Sequence, residues 1–117
     1  MSNNAPPTTG LSGEFRIAES AEKVDGSSVL TLSGQLDADA APILAAELER
    51  RLLAGQRIVH LDFSGVSFIS SSGVGSLIAS VGEYRDENGE IIIHALNEDL
   101  LHVFEMLGLM DYVEYRA

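Results

Sequence analysis

Three histidines are the residues best suited by type to acid–base catalysis or metal binding. His60 and His94 each lie within an apolar run that predicts a strand, and His102 lies in a pattern that predicts a helix. No two of them stand four residues apart, and the HExxH motif is absent. The chain has no cysteine, which excludes disulfides, thiol catalysis and cysteine-ligated zinc. We interpret the histidines as structural or surface residues and expect no metal site.

Ser71 could act as a nucleophile only with help from a neighbouring base. The GxSxG motif that exposes the nucleophilic serine of many hydrolases is absent, and the histidine positions give no sign of converging on Ser71. Gly73-Val74-Gly75 does not complete the GxGxxG pattern, and no GxxxxGKS phosphate loop occurs. We therefore expect no catalytic residue, no cofactor and no enzymatic activity.

A serine cluster, Ser70-Ser71-Ser72, precedes Gly73 at the predicted start of a helix. One interpretation is capping, because serine is among the best N-cap residues. The other is a modification switch, because a helix start has unpaired N–H groups and partial positive charge that tolerate a phosphate. A phosphate would add about −1.5 to −2 charge and weaken the binding of a partner docked on this face. The residues alone leave both interpretations open.

Five strands are predicted around this cluster. Phe15 and Ile17 alternate with polar neighbours, and apolar runs lie at residues 29–32, 58–61, 91–93 and 112–115. Asp25-Gly26 is a strong hairpin signal between the first two strands. The run at 58–61 is expected to be buried on both faces and to lead into a loop that ends at the serine cluster.

Three amphipathic patterns predict helices. The first follows Asp37, with Asp37 or Asp39 as its cap and Gly55 at its end. The second begins in the serine cluster, and the third is capped by Asn97. The order β-β-α-β-α-β-α-β indicates an α/β fold with a mixed sheet and helices packed mainly on one face.

Composition narrows the range of partners. The 117 residues fit one domain, and 18 acidic against 7 basic side chains give a net charge of −11. This balance argues against a nucleic-acid partner and against docking on anionic lipid. No apolar run approaches the roughly 20 residues of a membrane span, and the start of the chain does not resemble a secretory signal, so we expect a cytoplasmic protein without membrane insertion. Residues 1–13 carry no charged side chain and are predicted to be a disordered lead-in to a domain at 14–117.

Three motifs in the same order resemble those of one known family. Gly34-Gln35-Leu36-Asp37 resembles G-x-L-D, the stretch from Asp62 to Gly75 resembles D-x-S-x-x-x-F-x-D-S-S-G-L-G, and the ending from Phe104 to Leu109 resembles F-x-x-x-G-L. From Phe15 to Tyr115 the chain therefore resembles a STAS domain of the anti-anti-sigma factor family, the anti-sigma factor antagonists.

The resemblance implies a phosphorylation site and a docking face. In such proteins the first serine of S-S-G is the phosphate acceptor, which is Ser71 here. Ser70 stands in place of the family's acidic residue, so Ser70 and Ser72 remain rival acceptors. The residues implied in partner binding are Asp37, Ser70, Ser71, Ser72 and Gly73.

The resemblance also implies a regulatory role. Such a protein binds an anti-sigma factor with serine kinase activity while unphosphorylated, and phosphorylation releases it, so that sigma-factor-dependent transcription is regulated by partner switching. A phosphatase resets the switch. The alternative is a STAS adaptor subunit of a stress-signalling or lipid-transport complex without a phosphoswitch.

Overall fold

The structure is a computed structural model that describes residues 14–117. The predicted disordered lead-in over residues 1–13 lies outside the described residues. The eight predicted elements are all present, in the predicted order. They are β1 (Arg16–Glu19), β2 (Ser28–Leu36), α1 (Ala41–Leu53), β3 (Ile58–Ile69), α2 (Ser71–Asp86), β4 (Glu90–His94), α3 (Glu98–Met106) and β5 (Glu114–Arg116), with a 3₁₀ turn at Leu109–Asp111.

The strands form one mixed sheet in the order β1-β2-β3-β4-β5. β1 pairs antiparallel with β2, and the other pairs are parallel. Asp25 and Gly26 in the β1–β2 connection have φ angles of 52° and 80°. Two successive left-handed residues are what a tight type I′ turn requires, and Asp-Gly supplies them at low cost. The predicted hairpin is confirmed.

The core lies between one face of the sheet and the three helices. The core includes Leu30, Leu61 and Ile93 from the strands and Leu48, Leu77 and Phe104 from the helices. The Phe63 and Phe104 rings meet edge to face, with centroids 6.5 Å apart. Alternate strand residues point to the opposite face, where His60 and Ile92 are also buried. The expected burial of the third strand on both faces is thus confirmed.

The prediction of a loop between the third strand and the serine cluster is wrong. β3 continues to Ile69, because its second half pairs with the second half of β2, as in Gly34↔Val66 and Leu36↔Ile69. The register shifts twice along this pairing, once after Thr31 and once after Gly34. Such irregularities interrupt the alternation of inward and outward side chains. The sequence of this half of β3 therefore lacks the period of a strand.

Candidate functional site

The parallel pairing of β2 with β3 brings Asp37 close to the serine cluster. Leu36 and Ile69 are the last residues of these strands and lie opposite each other. The Ser70 backbone N–H donates to the Leu36 carbonyl at 3.0 Å. Asp37 and Ser70, which follow the two strand ends, are thereby placed at the same edge of the sheet, and α2 begins at the next residue, Ser71.

Ser70 is the cap of α2. It has extended backbone angles, and its hydroxyl accepts a hydrogen bond from the Gly73 N–H at 3.1 Å. The same hydroxyl lies 3.5 Å from the Leu36 carbonyl, to which it can donate. Ser70 is half-buried, and its hydroxyl is already engaged in both of these contacts within the fold. The capping interpretation of the cluster is satisfied by this one serine.

Ser71 and Ser72 are the first two residues of α2, and both are exposed. Within residues 14–117, neither hydroxyl forms a hydrogen bond with another residue. Their backbone N–H groups lie in the first turn, where an α-helix offers no internal acceptor. The cluster therefore presents two accessible hydroxyls at the positive end of a helix.

Gly73 sets the distance between α2 and the end of β2. A Cβ at this position would lie 2.3 Å from the Leu36 carbonyl oxygen and 3.0 Å from the Ile69 side chain. Backbone atoms cannot be displaced cheaply at such a junction, so glycine is needed for close approach rather than for an unusual φ. The position of Ser71 relative to Asp37 depends on this contact.

Asp37 closes the turn before α1 rather than capping the helix. Its Oδ1 accepts hydrogen bonds from the Asp39 N–H at 3.1 Å and the Ala40 N–H at 3.0 Å. The N-cap of α1 is Ala40, which makes no side-chain capping bond, and the predicted cap at Asp37 or Asp39 is therefore wrong. An aspartate commonly bonds the backbone two residues ahead, and here that local turn competes with capping and prevails. Gly55 does follow the end of α1, with a φ of 90°.

Exposed apolar side chains lie beside this edge. Phe68, two residues before Ser70, is 48% exposed. Ile43 in α1 is 55% exposed and shares a groove with Asp37 and Phe15. Uncovered apolar surface next to polar groups is typical of protein-binding faces. Sequence reasoning did not single out either residue as a surface feature. The signal available for Ile43 was its position outside the apolar face of α1, whereas Phe68 lies in a stretch that was predicted to be a loop.

His60 and His94 form a pair that the sequence analysis did not predict. His60 Nδ1 lies 2.8 Å from His94 Nε2, across the paired strands β3 and β4. Burial lowers the pKa of both imidazoles, and the charges of His94 and Arg116 lower that of His60 further. The sequence did place the two histidines on strands predicted to be parallel. It could not give the register between these strands, which decides whether the two rings meet. Among residues 14–117 no group of three or more His, Cys, Asp or Glu side chains is placed to hold a metal ion.

Comparisons with known proteins agree with the fold and with the motifs. A family model described as "Mlab, STAS domain" matches residues 19–114. The anti-sigma-B factor antagonist of Listeria monocytogenes is 27% identical over 85 residues, which cover 73% of this chain and 75% of the relative. BtrV of Bordetella bronchiseptica, named as a candidate anti-sigma factor antagonist, is 30% identical over 89 residues, covering 76% and 77%.

Solved structures show the same fold. An anti-sigma factor antagonist from Mycobacterium paratuberculosis aligns with a TM-score of 0.75 at 24% identity, over 90% of this chain and 89% of that one. Unphosphorylated SpoIIAA aligns with a TM-score of 0.65 at 20% identity, over 89% and 88%. No helix in the part of the chain that the structure describes is long and apolar enough to cross a membrane. The sheet order, the serine junction and these matches together show that the chain belongs to the STAS-domain family of anti-sigma factor antagonists.

Proposed function

We propose that this protein binds an anti-sigma factor with serine kinase activity while Ser71 is unphosphorylated, and that phosphorylation of Ser71 releases it. The observation that carries the proposal is the exposed Ser71 hydroxyl at the first position of α2, beside a serine already used as the cap. The names of the relatives supply the class of partner. In this role the protein acts in the cytoplasm, regulates sigma-factor-dependent transcription, and needs a phosphatase for reset.

The capping geometry favours Ser71 over Ser70 as the acceptor. Phosphorylation of Ser70 would disturb the bond from the Gly73 N–H and bring phosphate oxygens towards the Leu36 carbonyl. Loss of a cap costs about 1 kcal/mol, before any repulsion between the oxygens. Ser71 carries neither cost, since its hydroxyl is exposed. Ser72 is exposed as well, and the resemblance of the motif supports Ser71 over Ser72 as the acceptor.

A phosphate on Ser71 would be tolerated by the fold and opposed by the partner. The partial positive charge at the start of α2 stabilises an anion there. The same phosphate adds about −1.5 to −2 charge to a face that carries Asp37 and Asp39 and exposes Phe68. Burying that charge against a docked partner at a cost of about 3 kcal/mol would weaken binding roughly a hundredfold. The domain stays folded while its docking face changes.

Ser71 is suited to accept a phosphate, not to catalyse a reaction. A nucleophilic serine needs a base within hydrogen-bond reach to take its proton. Among the described residues, no histidine or carboxylate forms a hydrogen bond with Ser71, and the paired histidines sit within β3 and β4. In the proposed role the kinase partner supplies the chemistry and this chain is its substrate.

The test uses the anti-sigma factor kinase, ATP and three single variants, two to alanine and one to glutamate. Phosphate incorporation, located by mass spectrometry, should be lost in Ser71→Ala and kept in Ser72→Ala, the matched control one residue along. Ser71→Ala should still bind the kinase, and Ser71→Glu should bind about a hundredfold more weakly by titration calorimetry. Unchanged incorporation in Ser71→Ala would overturn the assignment of the acceptor.

A second candidate, left open by the sequence resemblance, is an adaptor subunit of a stress-signalling or lipid-transport complex without a phosphoswitch; both candidates share the STAS domain that the matching family model describes. Affinity recovery from the source cell separates the two. An ATPase of the histidine-kinase type retained by the natural chain and lost with Ser71→Glu supports the antagonist. The same scaffold or transport proteins recovered with both chains support the adaptor.

A further inference from the structure

A groove lies between the carboxyl-terminal ends of α1 and α2, away from the serine junction. The two helices run side by side in the same direction, since Ser76 Oγ donates to the Ala41 carbonyl at 3.3 Å and Tyr84 Oη donates to the Leu48 carbonyl at 2.7 Å. Their last turns therefore lie together. We call this surface the acidic groove, lined by Glu49, Leu52, Leu53, Glu83, Asp86 and Glu87.

The apolar part of the acidic groove is open. Leu53, the last residue of α1, is 81% exposed, the highest value among the large apolar side chains that are exposed in the described residues. Leu52 beside it is half-buried against the core. A helix can end on a polar residue at no cost to its packing, so a leucine in this position is not needed by the fold. Apolar surface rimmed by charged groups marks a protein-binding surface.

The four carboxylates of the groove form no ion pair with any residue in 14–117. The basic side chains on the same helices are engaged elsewhere. Arg50 pairs with Glu47 at 2.6 Å, and Arg51 pairs with Glu47 and Glu19 at 2.6 and 2.8 Å. Arg85 donates to the Tyr112 carbonyl and lies over the Tyr112 ring. The groove therefore keeps its negative charge.

These carboxylates also oppose the stability of α2. Glu83, Asp86 and Glu87 are spaced at i, i+3 and i+4, so they share one face of the last turn and repel one another. They also sit at the negative end of the helix macrodipole, where cations are favoured. Helix stability does not explain their presence. Positive charges supplied from outside the domain would relieve both effects.

We propose that the acidic groove docks a basic amphipathic segment of a partner protein. In the docked state an apolar side chain covers Leu53, and lysine or arginine side chains pair with the surrounding carboxylates. A single metal ion is a poor occupant, because no three of these side chains come together as ligands. A second copy is disfavoured by the charge of −11 on each chain.

Docking in the acidic groove does not depend on the state of Ser71. The two sites lie at opposite ends of α2, roughly 22 Å apart at about 1.5 Å per residue. Charges on a surface are screened within about 8 Å at physiological salt. A partner held in the acidic groove therefore stays bound when Ser71 is phosphorylated, independently of the proposed phosphoswitch.

The test measures binding of a synthetic helical peptide with one row of leucines flanked by lysines, at physiological salt. Leu53→Ser should weaken its binding about tenfold, a change of about 1.4 kcal/mol. The matched control is Leu107→Ser, at a leucine that is 57% exposed at the end of α3, and should change binding less than about twofold. Ser71→Glu should leave the affinity unchanged, so the outcome is separate from that of the phosphoswitch.

The contribution of the groove carboxylates to peptide binding is tested with two triple variants that change the net charge of the protein by the same amount. Glu83→Gln/Asp86→Asn/Glu87→Gln removes three of the four groove charges, and Glu22→Gln/Glu98→Gln/Glu105→Gln removes three exposed charges elsewhere. Only the first should weaken peptide binding about tenfold. Equal losses would overturn the proposal in favour of general attraction to an acidic protein. A dimer in sedimentation velocity that Leu53→Ser abolishes would overturn it in favour of a second copy.

Discussion

The two ends of α2 are built in different ways. At the amino-terminal end, backbone contacts dominate: Ser70 bonds Leu36 and caps the helix, and Gly73 packs against the same carbonyl. At the carboxyl-terminal end, exposed side chains dominate, with Leu53 among carboxylates that have no partner in the described residues. The first end is specified by close packing and tolerates little change. The second is specified by surface chemistry, so it can change without cost to the fold.

The same helix dipole gives the two ends opposite preferences. Its positive end lies at Ser71, where an added phosphate is stabilised, and its negative end lies at the acidic groove, where cations are favoured. A partner sensitive to phosphorylation therefore fits one end, and a basic partner fits the other. Substitutions at each end should separate these properties.

The largest effect is expected for Gly73→Ala. The new Cβ would lie 2.3 Å from the Leu36 carbonyl oxygen, so the strand–helix junction must shift, at a cost of about 3 kcal/mol in the free energy of unfolding. Urea denaturation followed by circular dichroism measures this loss. Gly75→Ala is the matched control in the same helix, since its Cβ meets nothing within 4 Å, and should stabilise by up to about 1 kcal/mol. Similar stabilities for the two variants would contradict the close approach.

Loss of the cap is expected to have the next largest effect. Ser70→Ala removes the acceptor for the Gly73 N–H and should lower the free energy of unfolding by about 1 kcal/mol. Ser72→Ala, at an exposed position without a hydrogen bond to the described residues, should stay within about 0.5 kcal/mol of the natural chain. Equal losses would mean that the serines share the capping role.

Lowering the pH should destabilise the domain through the His60–His94 pair in the sheet on which α2 packs. The pKa of His60 and of His94 is lowered in the folded state, chiefly by burial, so the unfolded chain binds protons more readily. The stability gained from the neutral pair is present above about pH 6.5 and is lost as the pH falls below it. Thermal unfolding across this range should show the loss, and His94→Gln should reduce its slope. An unchanged slope would show that other groups cause the pH dependence.

The smallest effect, and one of opposite sign, is expected at the acidic end. Neutralising Glu83, Asp86 and Glu87 together removes like-charge repulsion and the unfavourable interaction with the helix dipole, so the free energy of unfolding should rise by about 0.5 kcal/mol. The gain should shrink at high salt, where surface charges are screened. A loss of stability would mean that the carboxylates support the fold, and the contrast between the two ends would fail.

Local features of the chain were readable because their causes lie within a few residues. Asn97 caps α3 by accepting from the Leu100 N–H at 2.8 Å, as its position before an apolar pattern predicted. Gly108 ends α3 with a φ of 71°, a conformation that glycine adopts at no steric cost. The serine cluster was also placed correctly at a helix start. Which serine is the cap could not be read, since all three are suitable by type.

The sequence by itself therefore determined the order of the elements, the turns and the location of the serine junction. Only the tertiary structure decided the length of β3, the contact of His60 with His94, and the acidic groove. Each of these joins or positions segments through strand register or helix packing between residues that are distant in the chain. Apolar periodicity reports which side of an element is buried, and it carries no information on which distant residue lies opposite.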